Sequence, residues 1–213
     1  MRQHHIRNRE QLIEEFGSYI VDDPRAAKGR WAELFGCDKP IKLEIGSGKG
    51  AFITGMCLRD QDISFIACEG AYNVYPRIPQ KAASLNVQNL LVLPQYITDP
   101  REFFGDGEIS GIYLNFSDPW GKKRYNNRRL TYRDKLEGYR HICRPGSALE
   151  FKTDNDELFE FTLNELAYLG LTPDIVEYDL HSSPLNEFNI PTEYEEKFTE
   201  EGLAIKYLRL LFT

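Results

Sequence analysis

Five short apolar runs, at residues 41–45, 63–68, 90–93, 111–115 and 147–152, each give way to a polar turn and then to a stretch patterned for a helix. Runs this short, rich in Ile, Val, Leu and Phe and bounded by Gly, Pro or Asp, read as strands buried on both faces. Strands that alternate with helices pair in parallel, because each crossover returns the chain to the same end of the sheet. Two more strand-like runs, 174–180 and 204–212, have no clear helix between them and predict an antiparallel hairpin at one edge. The expected fold is α/β and Rossmann-like: a seven-stranded, mostly parallel sheet with helices on both faces and a C-terminal antiparallel hairpin. One domain is expected over residues 1–213, a helical extension at 1–40 set against a core at 41–213.

Within the extension, residues 8–20 place Leu12, Ile13, Phe16 and Ile20 on one helical side. Asp23-Pro24 predicts a second helix that carries Trp31, Leu34 and Phe35 and ends at Gly36. Arg2, His4, His5, Arg7 and Arg9 predict a basic, disordered tail. A helix over 71–85 contains Pro76 and Pro79, which predict a kink or a split. The connection 182–202 is long and irregular, of the kind that is functional or disordered; within it Thr192 and Glu195 have the spacing of a capping box.

No run of eighteen apolar residues is present, so no membrane span and no membrane partner is expected. The start lacks an apolar signal region. Cys37, Cys57, Cys68 and Cys143 are scattered without a C-x-x-C pair, which predicts reduced thiols in a cytoplasmic protein and no metal site. A net charge of −7 argues against a nucleic-acid partner when taken alone. The charge is unevenly spread, however: residues 120–144 hold nine Lys or Arg against Asp134 and Glu137, a local +7 on a remainder near −14. Such a patch can bind a polyanion while the acidic remainder limits nonspecific binding.

Ligands of open α/β sheets sit outside the carboxyl ends of the strands. At the end of the first strand, Gly46, Gly48 and Gly50 permit a sharp turn and close approach of a ligand to the backbone. Glu69 ends the second strand, about twenty residues on, placed to accept from ribose hydroxyls. The pattern fits a dinucleotide as well as other nucleosides. Glu44, just before the loop, would repel a pyrophosphate and suits a cationic sulfonium or ammonium; S-adenosylmethionine carries both. Asp118 ends the fourth strand beside this pocket, within Asn115-Phe116-Ser117-Asp118-Pro119-Trp120, and the basic loop through Lys122, Arg124, Arg128 and Arg129 follows. Asp118 also suits an Asx turn before Pro119. Asp154 ends the fifth strand, where it suits a helix N-cap equally well.

Four segments together resemble the bacterial tRNA (guanine-N7-)-methyltransferase family: residues 43–50, residues 113–131 with their Asn-Phe-Ser-Asp-Pro-Trp block and basic continuation, residues 151–155, and residues 192–197. The resemblance implies a class I methyltransferase fold and methyl transfer from S-adenosylmethionine to N7 of guanine 46 in the tRNA variable loop. It implies that Glu44, Gly46, Gly48, Glu69, Tyr96 and Asp118 line the cofactor, with Asp118 catalytic. It implies that Lys122, Asp154, Thr192, Glu193, Tyr194 and Glu195 contact the substrate, that residues 124–129 touch tRNA, and that no metal takes part. The assembly is expected to be a monomer or homodimer. The chain departs from the family at Gly121, Tyr125 and Tyr96, where proline, histidine and a small acidic or amide residue are usual. Two other readings are a nicotinamide-dependent oxidoreductase and a non-catalytic tRNA-binding relative.

Overall fold

The first apolar run forms strand β1 (Ile41–Ile45), which lies inside the sheet. On one side of it lie β2 (Ser64–Cys68) and β3 (Leu90–Leu93). On the other lie β4 (Ile109–Asn115), β5 (Cys143–Thr153), β7 (Lys206–Leu211) and, at the edge, β6 (Ile175–Glu177). The computed structural model describes residues 9–200 and 202–213. Strands β1 to β5 pair in parallel, and β7 runs antiparallel to both β5 and β6, as the helix-free C-terminal pattern predicts. The chain walks outward from β1 through β2 to β3, then crosses back to β4. Strand order therefore reverses between β1 and β4, and their carboxyl ends open the crevice in which such sheets hold ligands.

Alternation along the strands builds a core on each face. Leu43, Ile66, Leu93 and Ile112 pack on one side against Trp31, Phe104, Leu136 and Tyr139. Phe65, Leu90 and Val92 pack on the other against Phe52, Ile53 and Met56 of α3 (Ala51–Arg59) and Ile78 of α4 (Arg77–Ser84). Each cluster removes apolar area from water at about 25 cal/mol per Å². The second face does not stay apolar: Glu44, Asn115 and Lys152 occupy its positions toward the strand ends, and all three are buried.

Helices are shorter than the apolar periodicity predicts wherever glycine or proline intervenes. Helix α1 covers Arg9–Glu15, and a 3₁₀ turn, Gly17–Tyr19, replaces the rest of the expected 8–20 span, whose first residue lies outside the described residues. The tail residues Arg2, His4, His5 and Arg7 lie outside them too. Asp23 Oδ1 accepts from Ala26 N at 3.2 Å as a cap would, yet successive turns follow and the helix α2 (Trp31–Phe35) starts only later. Gly29, at φ +74°, takes a left-handed conformation that a continuous helix cannot contain. Trp31 pins this segment: its Nε1 donates to Phe103 O at 2.9 Å and its ring stacks on Phe104 at 5.4 Å. The expected helix over 71–85 splits at Pro76, which becomes the N-cap of α4; Pro79 then falls in the first turn, where its missing N–H costs nothing.

Helices α5 (Arg133–Ile142) and α6 (Asp156–Tyr168) flank β5. The long connection is more regular than expected: two 3₁₀ turns, Leu180–Ser182 and Pro184–Phe188, lead to helix α7 (Glu193–Glu200). The predicted capping box forms, with Glu195 N donating to Thr192 Oγ1 at 3.0 Å and Thr192 N to Glu195 Oε2 at 3.4 Å.

Candidate active site

The glycine loop is fastened to β2 by its own backbone. Gly46 N and Ser47 N both donate to Cys68 O, at 2.8 and 3.0 Å, and Gly46, Gly48 and Gly50 all have positive φ. Glu69 completes the fastening: its Oε2 accepts from Gly48 N at 3.0 Å and its Oε1 from Ala71 N at 2.8 Å. A carboxylate offers about four acceptor sites, so Glu69 keeps capacity for a ligand hydroxyl. Burial raises the Glu69 pKa, and the charge of Asp118 adds to the rise, so these two carboxylates face one site.

Glu44 lies opposite, at the end of β1. Asn115 Nδ2 donates to its Oε1 at 2.8 Å, while its Oε2, also buried, has no hydrogen-bond partner among the described residues. Burial pushes the Glu44 pKa up to about 7, against the lowering effect of Asn115, Ser47 and Lys152. A fully buried carboxylate with a free oxygen is costly without a cation or donor to complete it.

Tyr96 stands beside Glu69. Its side chain is exposed, and its ring lies so close over Gly70 that a Cβ on that glycine would fall 2.3 Å from the ring. Partial desolvation where the ring lies on Gly70, with the charges of Glu69 and Asp118, raises its pKa.

The corner after β4 holds two residues in the left-handed region, Phe116 at φ +50° and Trp120 at φ +44°. Each costs on the order of 1–3 kcal/mol, so the surroundings must hold them. Phe116 N donates to Lys152 O at 2.9 Å. Arg129 does the rest: its Nε donates to Pro119 O at 2.8 Å, its Nη2 pairs with Glu157 at 2.8 Å, and its guanidinium lies 4.3 Å over the Phe161 ring. Arg129, expected on the RNA-facing surface, is 2% exposed; its packing under the corner corrects that expectation. Lys122, Arg124 and Arg128 are exposed, along with Asp118. The Arg128 guanidinium stacks 4.9 Å from Trp120 and 4.8 Å from Tyr125, and Arg124 lies 4.8 Å from Tyr125. The departure from histidine at Tyr125 thus supplies an aromatic plate between two arginines.

Residues 192–195 arrive over the same strand ends with their side chains divided. Glu193 pairs with Lys81 of α4 at 2.6 Å, and its charge is among those that raise Glu44. Tyr194 is exposed, with its ring 6.2 Å from Phe198. Thr192 and Glu195, expected to touch substrate, turn inward: Thr192 is taken up by the capping box and Glu195 is fully buried. Glu195 accepts from Lys152 Nζ at 2.7 Å and from Asn189 Nδ2 at 2.5 Å, and lies 2.9 Å from His181 Nε2. Asp154 is partly buried at the end of β5; the cap of α6 is Asn155, whose Oδ1 accepts from Leu158 N at 2.7 Å, so the N-cap reading of Asp154 is corrected.

Lys152, Asn189 and His181 escaped the sequence reading. Lys152 had a signal: Glu150 and Lys152 alternate with Leu149 and Phe151 in a run otherwise read as buried on both faces. His181 and Asn189 come from a loop with no periodicity to place them.

The doubly wound sheet, the glycine loop and the ring of carboxylates at the β1, β2 and β4 ends define a methyltransferase, and a family model described as "Putative methyltransferase" matches residues 38–208. The tRNA (guanine-N(7)-)-methyltransferase of Streptococcus gordonii is 42% identical over 210 residues, covering 97% of this chain and 99% of that one. That of Geobacillus thermodenitrificans is 45% identical over 193 residues, 91% and 89% of the two chains. This chain belongs to the tRNA (guanine-N(7)-)-methyltransferase family. In fold it is similar to the 16S rRNA methyltransferase KamB, with a TM-score of 0.66 at 16% identity over 87% of this chain and 93% of that one. Family membership sets aside the oxidoreductase reading.

Proposed function

We propose that the protein transfers the methyl group of S-adenosylmethionine to N7 of guanine 46 in the variable loop of tRNA. Family membership supports the reaction, and the buried Oε2 of Glu44 beside the glycine loop, without a hydrogen-bond partner among the described residues, carries the choice of donor. A carboxylate in that state fits a cationic ligand and opposes a pyrophosphate. S-adenosylmethionine, when bound, supplies an electrophilic methyl on a sulfonium. Glu44, Gly46, Gly48, Glu69, Tyr96 and Asp118 are the residues that would hold it.

The remaining work is positioning. Guanine N7 offers an unprotonated lone pair, so no general base is needed, and an in-line displacement at carbon depends on alignment. The ring becomes cationic on methylation, and Asp118 and Asp154, just past the ends of the neighbouring strands β4 and β5, are the carboxylates that would stabilise it. N7 lies on the Hoogsteen edge, so the base leaves its stack to be reached. Trp120 and Tyr194 offer aromatic faces to it, Glu193 a carboxylate, and Thr192 its backbone. Lys122, Arg124 and Arg128 would take the phosphates. The protein acts on tRNA as a monomer or homodimer.

Label transfer from radiolabelled S-adenosylmethionine to unmodified tRNA tests this. Incorporation that vanishes when guanine 46 is replaced by adenine supports the reading; incorporation that persists overturns the assigned target.

A further inference from the structure

We infer that Lys152 is a positioning residue: it couples the cofactor carboxylate Glu44 to the segment that faces the substrate. The inference rests on the reading above and assigns a role to a residue that touches neither reactant. Lys152 is 4% exposed near the end of β5, and Asn115 of β4 is its register partner. An ammonium has three N–H donors. All three find acceptors on one distant segment: Asn189 Oδ1 at 2.9 Å, Ile190 O at 3.0 Å and Glu195 Oε2 at 2.7 Å. Nothing on its own strand accepts from it among these bonds, so its hydrogen-bonding capacity is spent on residues 189–195.

The consequences run in both directions. Toward the cofactor, Asn115 donates to Glu44 at 2.8 Å, and Lys152 is the charge that lowers the Glu44 pKa. Toward the substrate, Glu195 also accepts from Asn189 Nδ2 and anchors the first turn of α7, which carries Glu193 and Tyr194. The row Glu44, Asn115, Lys152, Glu195 therefore links the methyl-donor side of the crevice to its guanine side.

Ile190 packs against the second core cluster and Arg59 Nη1 donates to Phe188 O at 3.0 Å, yet the segment also borders open space. Beneath residues 188–190 lies a cavity of about 260 Å³, lined by Phe52, Tyr113, Glu150, Lys152 and Tyr207 among others. Phe188 is exposed. A roof over a cavity can shift by fractions of an ångström unless something directional fixes it, and misplacement on that scale costs rate steeply.

A buried ion pair is often only structural, and removing one partner leaves the other charge stranded. Three variants separate stability from positioning: Lys152→Met, Glu195→Gln and the double variant. Each single change is expected to lower the melting temperature and to cut kcat/KM for tRNA by about 30-fold or more; affinity for S-adenosylmethionine, measured at about pH 8.5 where Glu44 is ionised, falls by much less. In the double variant the stranded charge is gone, so the melting temperature recovers while transfer to tRNA stays low. Should transfer recover together with the melting temperature, Lys152 is merely structural and the inference fails. It fails equally if cofactor affinity drops by the same factor as transfer. If Lys152→Met does not fold, Glu195→Gln and the double variant carry the comparison. Wild-type protein that transfers no label would sink the functional reading itself, a result separate from either of these.

Discussion

Asn115 and Glu44 are joined by one hydrogen bond of 2.8 Å, and it completes only half of the carboxylate, since the buried Oε2 has no partner among the described residues. The site is thus built around a group that is costly to ionise and that a cation would relieve.

The first prediction follows from the Glu44 pKa, pushed up to about 7 by burial. The folded protein holds this proton more tightly than the unfolded chain does. The stability it contributes is fully present below the ordinary carboxylate pKa and is lost as pH rises through about 7. Glu44→Gln removes that loss, so the variant should melt above the wild type at alkaline pH and converge with it in acid. A cationic ligand needs the ionised form, so cofactor binding to the wild type should weaken below about pH 7, whereas binding to the variant should be weak at all pH values. Thermal melts and calorimetric titrations between about pH 5.5 and 8.5 check both trends. Melting curves that stay parallel across that range would mean that Glu44 does not titrate there.

How much of this was legible in the sequence differs by element. Strands were legible because alternating apolar runs bounded by turn residues have few other solutions; β3 falls on the predicted residues and β1 likewise. The positions of Glu44, Glu69 and Asp118 near strand ends were legible for the same reason, since the residues around a strand's end follow once the strand is found. The helices after Asp23 and Ala71 were overextended, because helical periodicity carries past a Gly29 or a Pro76 that backbone geometry does not allow. Inward or outward orientation on irregular segments was not legible at all. Arg129 and Arg128 are adjacent basic residues in one loop, yet one is sealed beneath Trp120 and the other lies on its face.

That pair yields a second prediction. Arg128→Ala removes an exposed charge stacked on Trp120 and Tyr125, so tRNA affinity should fall and the salt dependence of binding should lose about one unit of slope, with melting unchanged. Arg129→Ala strips the corner of its clamp and leaves Pro119 O without its donor, so melting should drop markedly. Salt titrations of tRNA binding, set beside melts of both variants, decide it. Equal effects of the two changes on melting would refute the buried assignment of Arg129.

A third prediction concerns Tyr96 and Gly70. The ring leaves no room for a Cβ on the glycine, so Gly70→Ala must push the ring off its seat beside Glu69. Cofactor affinity should fall by about tenfold in this variant, and the same glycine change should have little further effect in a Tyr96→Ala background. Calorimetric titration of the four proteins in the cycle measures the coupling. Additive losses would show that the ring's seat on Gly70 plays no part in cofactor binding.

The last prediction separates charge from shape at Asp118. Its side chain is exposed, and the strained corner around it is held by Arg129 and by the Phe116 bond to Lys152 O, so the carboxylate is not needed for folding. Asp118→Asn and Asp118→Ala should both melt within about 0.5 kcal/mol of wild type, the range usual for surface changes. Methylation makes the guanine ring cationic as the transition state forms, and a carboxylate aimed at that charge contributes more there than in the ground state. Asp118→Asn, which keeps the shape and loses the charge, should therefore lower kcat by about 100-fold with little change in KM for tRNA. Asp118→Ala should abolish transfer. Single-turnover label transfer at saturating tRNA gives the chemical step directly. If the asparagine variant kept the wild-type rate, the charge would be irrelevant to the reaction, and Asp154 would remain as the carboxylate at the adjoining strand end to test next.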